Sequence, residues 1–354
     1  MVFSGMYLSK KAFVGVFDAD GSVRLSTVAR KKSKGLNFTV DFEVSQVKKN
    51  LDLLSKIQAT FGGGTIREKK RTKTQILLNV SAEYSYSAAS SSAAGKAIAA
   101  YLANDLPLVP SKRRDFLLAK KMLELVPKRK KSTVEKVFLV HLAYSNSNQI
   151  KASTVVKKKA IQSRLERLGD TTALDFMRGK QEAESFVKEL DKTICSYEQM
   201  LPNMNLSAEY LVGFHIGDGS FGVYYYEEGG KIKVKPIWSL TEPSIPFLSA
   251  VKNTLGCGAI VPVGKIPGNC FQFRITSWKD CVNKVLPLFQ NKYLPDQRRK
   301  QFQIFEKACN LFISSKINTA EGWKELVELT YSMNTEEGRT LSKEEILHLC
   351  RGEA

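Results

Sequence analysis

The sequence has no Cys-x-x-Cys pair, no apolar run of membrane-spanning length, and a shortage of acid relative to base. All six cysteines, Cys195, Cys257, Cys270, Cys281, Cys309 and Cys350, fall in the second half. That placement excludes a disulfide framework or a zinc site and leaves reduced, mostly buried thiols of an intracellular protein. A bilayer span needs about eighteen consecutive apolar residues, which the chain lacks, and there is no long basic amphipathic stretch to serve as a surface anchor. No signal peptide is evident, and the first helix starts too near Met1 to leave room for a removable transit peptide. The chain is therefore expected to be made where it works, or to have been trimmed.

Asp and Glu number 35 against 54 Lys and Arg, a net charge of +19. Such an excess favours a polyanionic partner, and without membrane signals nucleic acid fits better than a lipid surface. Otherwise 43% hydrophobic and 25% charged residues are ordinary for a globular protein, and 354 residues suffice for two or three domains.

Against these absences stands a repeat. Ser9 to Val23, SKKAFVGVFDADGSV, returns as Ser207 to Phe221, SAEYLVGFHIGDGSF. Two copies at corresponding places imply a duplicated unit. Each reads as a helix with Ser9 or Ser207 as N-cap and with Gly21 or Gly219 as a left-handed stop. Gly15 and Ala19, and likewise Gly213 and Gly217, lie four apart on one face, where small residues let two helix backbones approach closely. Side by side about a pseudo-twofold axis, the helices would end with Asp20 and Asp218 close together. Two carboxylates at the negative ends of two helix dipoles call for a cation, and Mg²⁺ suits paired carboxylates supplemented by main-chain carbonyls and water.

Phe13 to Gly21 (FVGVFDADG) and Leu211 to Gly219 (LVGFHIGDG) resemble the two motifs of a single-chain LAGLIDADG homing endonuclease. The second departs at His215, Ile216 and Gly217 but keeps the glycine and the essential acid. The resemblance implies a monomer that binds a long asymmetric double-stranded DNA site and hydrolyses one phosphodiester in each strand, leaving short 3′ overhangs. It implies Mg²⁺ as cofactor, with Mn²⁺ or Ca²⁺ able to replace it in binding, and an organellar address. Asp20 and Asp218 would bind metal with the main-chain carbonyls of Ala19 and Gly217. Gln46 matches the family's active-site Gln, and Lys112 its basic residue near the start of a later helix. Aligning the glycine stops puts Leu240 opposite Gln46, and aligning LAKK with FEKA puts Arg298 opposite Lys112, so the half-sites are expected to differ. His215 is either a metal ligand or a structural residue at the helix interface. With only His141 and His348 besides, the histidines do not make an HNH nuclease.

The rest of the chain repeats in the same order. Strands are expected at 23–30, 37–46, 65–70 and 74–82, with helices at 51–61, 88–102 and 110–125. The second set is strands at 222–226, 232–240, 258–263 and 270–276, with helices at 243–255, 278–290 and 296–312. The fold class is α+β: two pseudo-twofold-related αββαββα repeats, each with a four-stranded antiparallel sheet, packed through the two motif helices. The expected domains are the first repeat (1–126), a long basic, largely helical inter-repeat segment (127–205), the second repeat (206–316) and C-terminal helices packed on it (317–354).

Each sheet would turn one face to the helices and the other to DNA. In the first half that outward set is Arg24, Ser26, Arg30, Lys32, Arg67, Lys69, Arg71, Lys73, Gln75 and Asn79. In the second it is Tyr224, Tyr226, Lys231, Lys233, Lys235, Lys265, Gln272 and Arg274. These side chains suit base edges and phosphates, and a β-ribbon fits the major groove. Two other readings stand beside the nuclease: an RNA maturase that binds a folded intron RNA, and a cleavage-inactive DNA-binding relative, the latter favoured by Leu240.

Overall fold

A computed structural model of the chain describes residues 8–29, 35–71, 81–127, 130–145, 154–169, 171–263, 270–333 and 342–349. It divides into two compact units, Val16–Leu201 and Met1–Gly15 with Pro202–Ala354.

The helix α1 (Lys10–Asp20), which enters the first of these units at Val16, leads into β1 (Gly21–Ala29) and β2 (Leu36–Val47). Then come α2 (Leu51–Phe61), β3 (Thr65–Glu68), β4 (Glu83–Ala89), α3 (Ala93–Asn104) and α4 (Pro110–Leu125). The strands form one antiparallel sheet in the order β1-β2-β4-β3. Val23, Leu25, Val40, Phe42 and Val44 alternate into the core, where Leu53, Leu54 and Ile57 of α2 meet them.

The predicted strand at 74–82 lies almost wholly outside the described residues, and the fourth strand is Glu83–Ala89, a stretch read in part as the start of a helix. Tyr86 and Ala88 face the core from it while Ser85 and Ser87 face away. The helix instead starts after Ser92, whose Oγ accepts from the Gly95 amide at 3.1 Å. The described residues of the inter-repeat segment include the helices α5 (Thr133–Ala143), α6 (Thr154–Leu165) and α7 (Ala173–Met200). Of these, α7 packs along α4 and α5.

The other unit repeats the plan with α8 (Ala208–Asp218), β5 (Gly219–Glu228), β6 (Lys231–Glu242), α9 (Ile245–Leu255), β7 (Ala259–Pro262) and β8 (Phe271–Ile275). Its sheet order, β5-β6-β8-β7, is that of the first. Phe221, Trp238, Leu240, Phe247 and Phe273 fill the core. The predicted helix at 278–290 is broken into α10 (Trp278–Asp280), a π-helical turn (Cys281–Val285) and α11 (Leu286–Phe289). Pro287, with no N–H to give, follows the π turn. Last come α12 (Asp296–Ile313), α13 (Ala320–Met333) and α14 (Lys343–Leu349). The tail packs on β5, where the Tyr225 and Thr330 hydroxyls lie 3.1 Å apart and the Tyr225 ring meets Trp323 edge-on.

The motif helices pack as their small residues suggest. Within the unit that joins residues up to Gly15 to the second repeat, a Cβ on Gly15 would stand 2.2 Å from the Tyr210 carbonyl oxygen, and one on Gly213 would stand 2.0 Å from that of Ala12. The contact is reciprocal, backbone on backbone. Gly21 and Gly219, however, are not left-handed stops. Both open a strand, Gly219 with an extended backbone at φ −102°, so each motif helix passes into its sheet without a loop. Left-handed caps occur where the glycine runs were expected to end helices, at Gly62 (φ 68°) and Gly256 (φ 66°). No helix among the described residues is long and apolar enough to cross a membrane.

Candidate active site

The first half gathers Asp20, Gln46 and Lys112. Asp20 is the last residue of α1, and the ladder pairs the next residue, Gly21, with Val44. Gln46 lies two residues further along β2 on the same core-facing side, 7% exposed. Its Nε2 donates to Asp20 Oδ2, while its Oε1 accepts from Asn50 Nδ2 at 2.9 Å. The buried Asn50 thus fixes the carboxamide so that its N–H faces the carboxylate. Lys112, the third residue of α4, donates from Nζ to the Gly21 carbonyl.

The turn before α4 is held by Asp18, fully buried, whose Oδ2 accepts from the Leu108 amide at 2.7 Å and the Val109 amide at 3.3 Å. A carboxylate at this end of α4 complements the helix dipole. Neither Asp18 nor Asn50 stood out in the sequence. Asp18 could have been noticed as the motif acid with no acidic counterpart in the second copy, where Ile216 stands.

In the second half Asp218 ends α8, and the ladder pairs Gly219 with Leu240. Leu240 is therefore the counterpart of Val44, and the residue in Gln46's place is Glu242. Counting back from the glycine stops gave Leu240 because the first half alone inserts a 3₁₀ turn, Lys48–Asn50, before its helix. Glu242 is buried and its Oε1 accepts from the Ser244 amide at 3.2 Å. Arg298 is the third residue of α12, as Lys112 is of α4. Its Nε donates to the Ile216 carbonyl at 3.2 Å and its Nη2 to the Gly217 carbonyl at 3.1 Å. The guanidinium thus caps the motif helix and engages the carbonyl that the resemblance gives to metal. At these equivalent positions the two repeats carry different residues, Gln46 against Glu242 and Lys112 against Arg298.

His215 takes the structural alternative. Trp238 Nε1 donates to its Nδ1 at 3.1 Å, and its ring packs on Phe221 and Phe289 at 4.3 and 4.8 Å between centroids. Burial, aided by the Arg298 charge, pushes its pKa well below the usual 6.5. A histidine kept neutral in the fold contributes stability that is fully present above the unfolded value and lost as pH falls below it, because the unfolded chain then binds the extra proton. Denaturation midpoints compared at about pH 7.5 and about pH 5.5 are expected to drop more for the native chain than for His215→Gln, with a limiting slope difference of about 1.4 kcal/mol per pH unit. Equal drops would remove His215 as the cause.

The sheet registers place every described member of the predicted binding set within strands on the face away from the helices. On the first sheet Arg24, Ser26 and Arg67 share it with Asp41, Glu43 and Ser85. This face is not uniformly basic. Arg24 pairs with Asp41 at 3.7 Å, and Lys69, just past β3, with Glu43 at 3.4 Å and Glu83 at 3.0 Å. Arg71 is exposed beyond them.

On the second sheet Tyr224, Tyr226, Lys231, Lys233, Lys235, Gln272 and Arg274 share the outward face. Tyr224 is 56% exposed, and the Lys235 ammonium lies 4.8 Å from the Tyr226 ring centre. Lys233 pairs with Glu228, Gln272 donates to Thr241 at 3.1 Å, and Arg274 donates to Gln272. Arg30, Lys32, Lys73, Gln75, Asn79 and Lys265 lie outside the described residues. Among the described residues no group of three or more His, Cys, Asp or Glu gathers as a metal cage, and Cys195, Cys257, Cys270, Cys281 and Cys309 are free thiols.

A family model described as LAGLIDADG endonuclease matches residues 13–123 and 211–309. No curated protein matches the chain by sequence. Solved structures do match in fold. The I-SmaMI LAGLIDADG homing endonuclease bound to cleaved DNA superposes with a TM-score of 0.69 at 22% identity, over 94% of this chain and 99% of that one. I-SmaMI bound to an uncleaved DNA target in the presence of calcium ions gives 0.66 at 22% identity, over 92% and 99%. The LAGLIDADG homing endonuclease I-GzeII in complex with its DNA target gives 0.68 at 18% identity, over 93% and 99%.

Proposed function

The chain belongs to the LAGLIDADG endonuclease family, and on that premise we propose that it is a monomeric, site-specific double-strand DNA endonuclease that hydrolyses one phosphodiester in each strand and leaves short 3′ overhangs. The observation that carries this reading is the recurrence of one arrangement at equivalent positions: a helix-ending carboxylate, a buried polar residue at the end of the second strand, and a cation at the third residue of a later helix. Asp20, Gln46 and Lys112 make one set, and Asp218, Glu242 and Arg298 the other.

The donor chemistry fits a divalent cation. Asp20 and Asp218 each present a carboxyl group at the end of a motif helix, and hard oxygen donors suit Mg²⁺. We assign Asp20 and Asp218, with the main-chain carbonyls of Ala19 and Gly217, to metal; calcium accompanies the DNA complex of I-SmaMI. When bound, such a cation supplies Lewis acidity that lowers the pKa of water and stabilises charge on the phosphate. The chain's own groups do the rest. Gln46 orients Asp20, and Lys112 and Arg298 place positive charge beside the motif ends where the phosphate's negative charge grows.

The outward sheet faces, rich in Lys, Arg, Tyr and Gln, are the DNA-reading surfaces. Their phosphate contacts make affinity fall steeply with salt. The alternative of a cleavage-inactive relative leans on Leu240 standing opposite Gln46, and the ladder gives Glu242 instead.

The test is selection from a randomised duplex library, with Mg²⁺ and separately with EDTA. Recovery of one long asymmetric site, cut in both strands with 3′ overhangs only when metal is present, is the expected result. If the folded protein recovers no cut site with Mg²⁺, the endonuclease reading fails.

A further inference from the structure

The long inter-repeat segment has no part in the two half-sites, yet its helix α7 reaches the turn that launches one of them. We infer that α7 is a brace that positions Lys112, with Tyr197 as its principal positioning residue. The inference rests on the reading of Lys112 as the cation of the first half-site.

The geometry runs from α7 to Lys112 in short steps. Tyr197, buried near the end of α7, donates its hydroxyl to the Leu108 carbonyl at 2.9 Å. The Leu108 amide on the same residue donates to Asp18 at 2.7 Å. The turn before α4 is thus gripped from both sides, through its amide by the motif helix and through its carbonyl by α7. The two residues after Lys112 are also tied to α7. The Arg113 guanidinium lies 4.0 Å from the centre of the Tyr197 ring while its Nη1 donates to the Pro107 carbonyl at 3.2 Å. Arg114 Nε donates to Asp191 at 2.6 Å.

With its neighbours anchored, Lys112 is left to project towards the Gly21 carbonyl beside Asp20. A side chain placed by its neighbours loses rate quickly when they shift, since misplacement of a catalytic group by about 1 Å can cost 10²-fold. In the second half the corresponding turn is held by contacts that do not involve α7. Lys292 donates to Glu209 at 2.6 Å, and Arg299 Nη2 to the Leu294 carbonyl at 3.0 Å. The brace therefore acts on one half-site, and its loss should unbalance cutting of the two strands.

Two measurements on the full chain test this, using Tyr197→Phe, which keeps the ring, and Tyr197→Leu, which removes ring and hydroxyl. The first is cleavage of supercoiled plasmid carrying a library-selected site. The native protein should pass quickly to linear product, while Tyr197→Phe slows one strand by about tenfold and Tyr197→Leu by more, so that nicked circle accumulates with DNA affinity unchanged. The second is acylation of Lys112 read by mass spectrometry, which needs no cleavage; both variants should label Lys112 faster than the native chain. A native strand ratio, or equal slowing of both strands, would overturn the brace, as would native labelling of Lys112. If the native protein cuts nothing, the endonuclease reading fails, and labelling still decides whether α7 holds Lys112.

Discussion

Asp20→Asn and Asp218→Asn are each expected to reduce single-turnover cleavage by at least about 10²-fold while leaving DNA affinity and melting temperature close to native. The substitution is nearly isosteric. In Asp20→Asn the new carboxamide still offers an oxygen to the Gln46 side-chain N–H, so the local hydrogen bond survives. What disappears is the negative charge, and with it the hard donor that a divalent cation requires. Because the two sets of residues are not identical, the variants are also expected to differ. In the second repeat the buried acid Glu242 stands where the first has the neutral carboxamide of Gln46. Strand-resolved cleavage by both variants, with gel-shift titration beside it, measures this. Cleavage within about threefold of native in either variant would show that its acid is not needed for the chemistry.

The second large effect concerns the fold. Gly213→Ala should lower stability by roughly 1–3 kcal/mol or more. Its Cβ would meet the Ala12 carbonyl oxygen at 2.0 Å, and Gly15→Ala would meet that of Tyr210 at 2.2 Å. Backbone cannot swing aside as a side chain can, so the helices must part and forfeit packing along the whole contact. For a chain of 354 residues each kcal/mol is worth only about 1–2 °C, so a loss of a few degrees is expected in thermal melts. Gly222→Ala serves as the comparison, because its Cβ meets only the far side of the Tyr224 ring at 2.9 Å, and that ring is exposed and free to turn. If all three variants melt alike, close helix approach is not what the small residues provide.

Much of this was legible in the sequence because the signals were local. The motif pair announced the duplication. Alternation along β1, β2, β5 and β6 gave the correct outward faces, and the third-residue positions of Lys112 and Arg298 survived intact. The misses share a different cause. Glu242 was hidden by a single 3₁₀ turn in the other repeat, which shifts any count made along the chain but leaves the hydrogen-bond ladder untouched. Asp18 binds amides some ninety positions later, at Leu108 and Val109, which no spacing rule reaches. Glu83 to Ala89 alternates small with aromatic residues, a pattern that becomes a strand only because β2 and β3 flank it. The pairing of Lys69 with Glu43 and Glu83 likewise depends on which strands are neighbours.

The loopless passage from α1 into β1 has a consequence for how such a protein measures its target. Asp20 and the outward side chains Ser22, Arg24 and Ser26 lie on one unbroken run of backbone, the last three on a paired strand. A strand advances about 3.3 Å per residue, close to the 3.4 Å between stacked base pairs, and its outward side chains come at every second residue. The carboxylate and the reading side chains are therefore marks on one ruler. In a protein that cuts where Asp20 sits, the offset between the first base read and the bond broken is set by covalent geometry and cannot drift through loop motion. Changes of target during evolution would then alter which bases are read at each mark while leaving the position of the cut where it is.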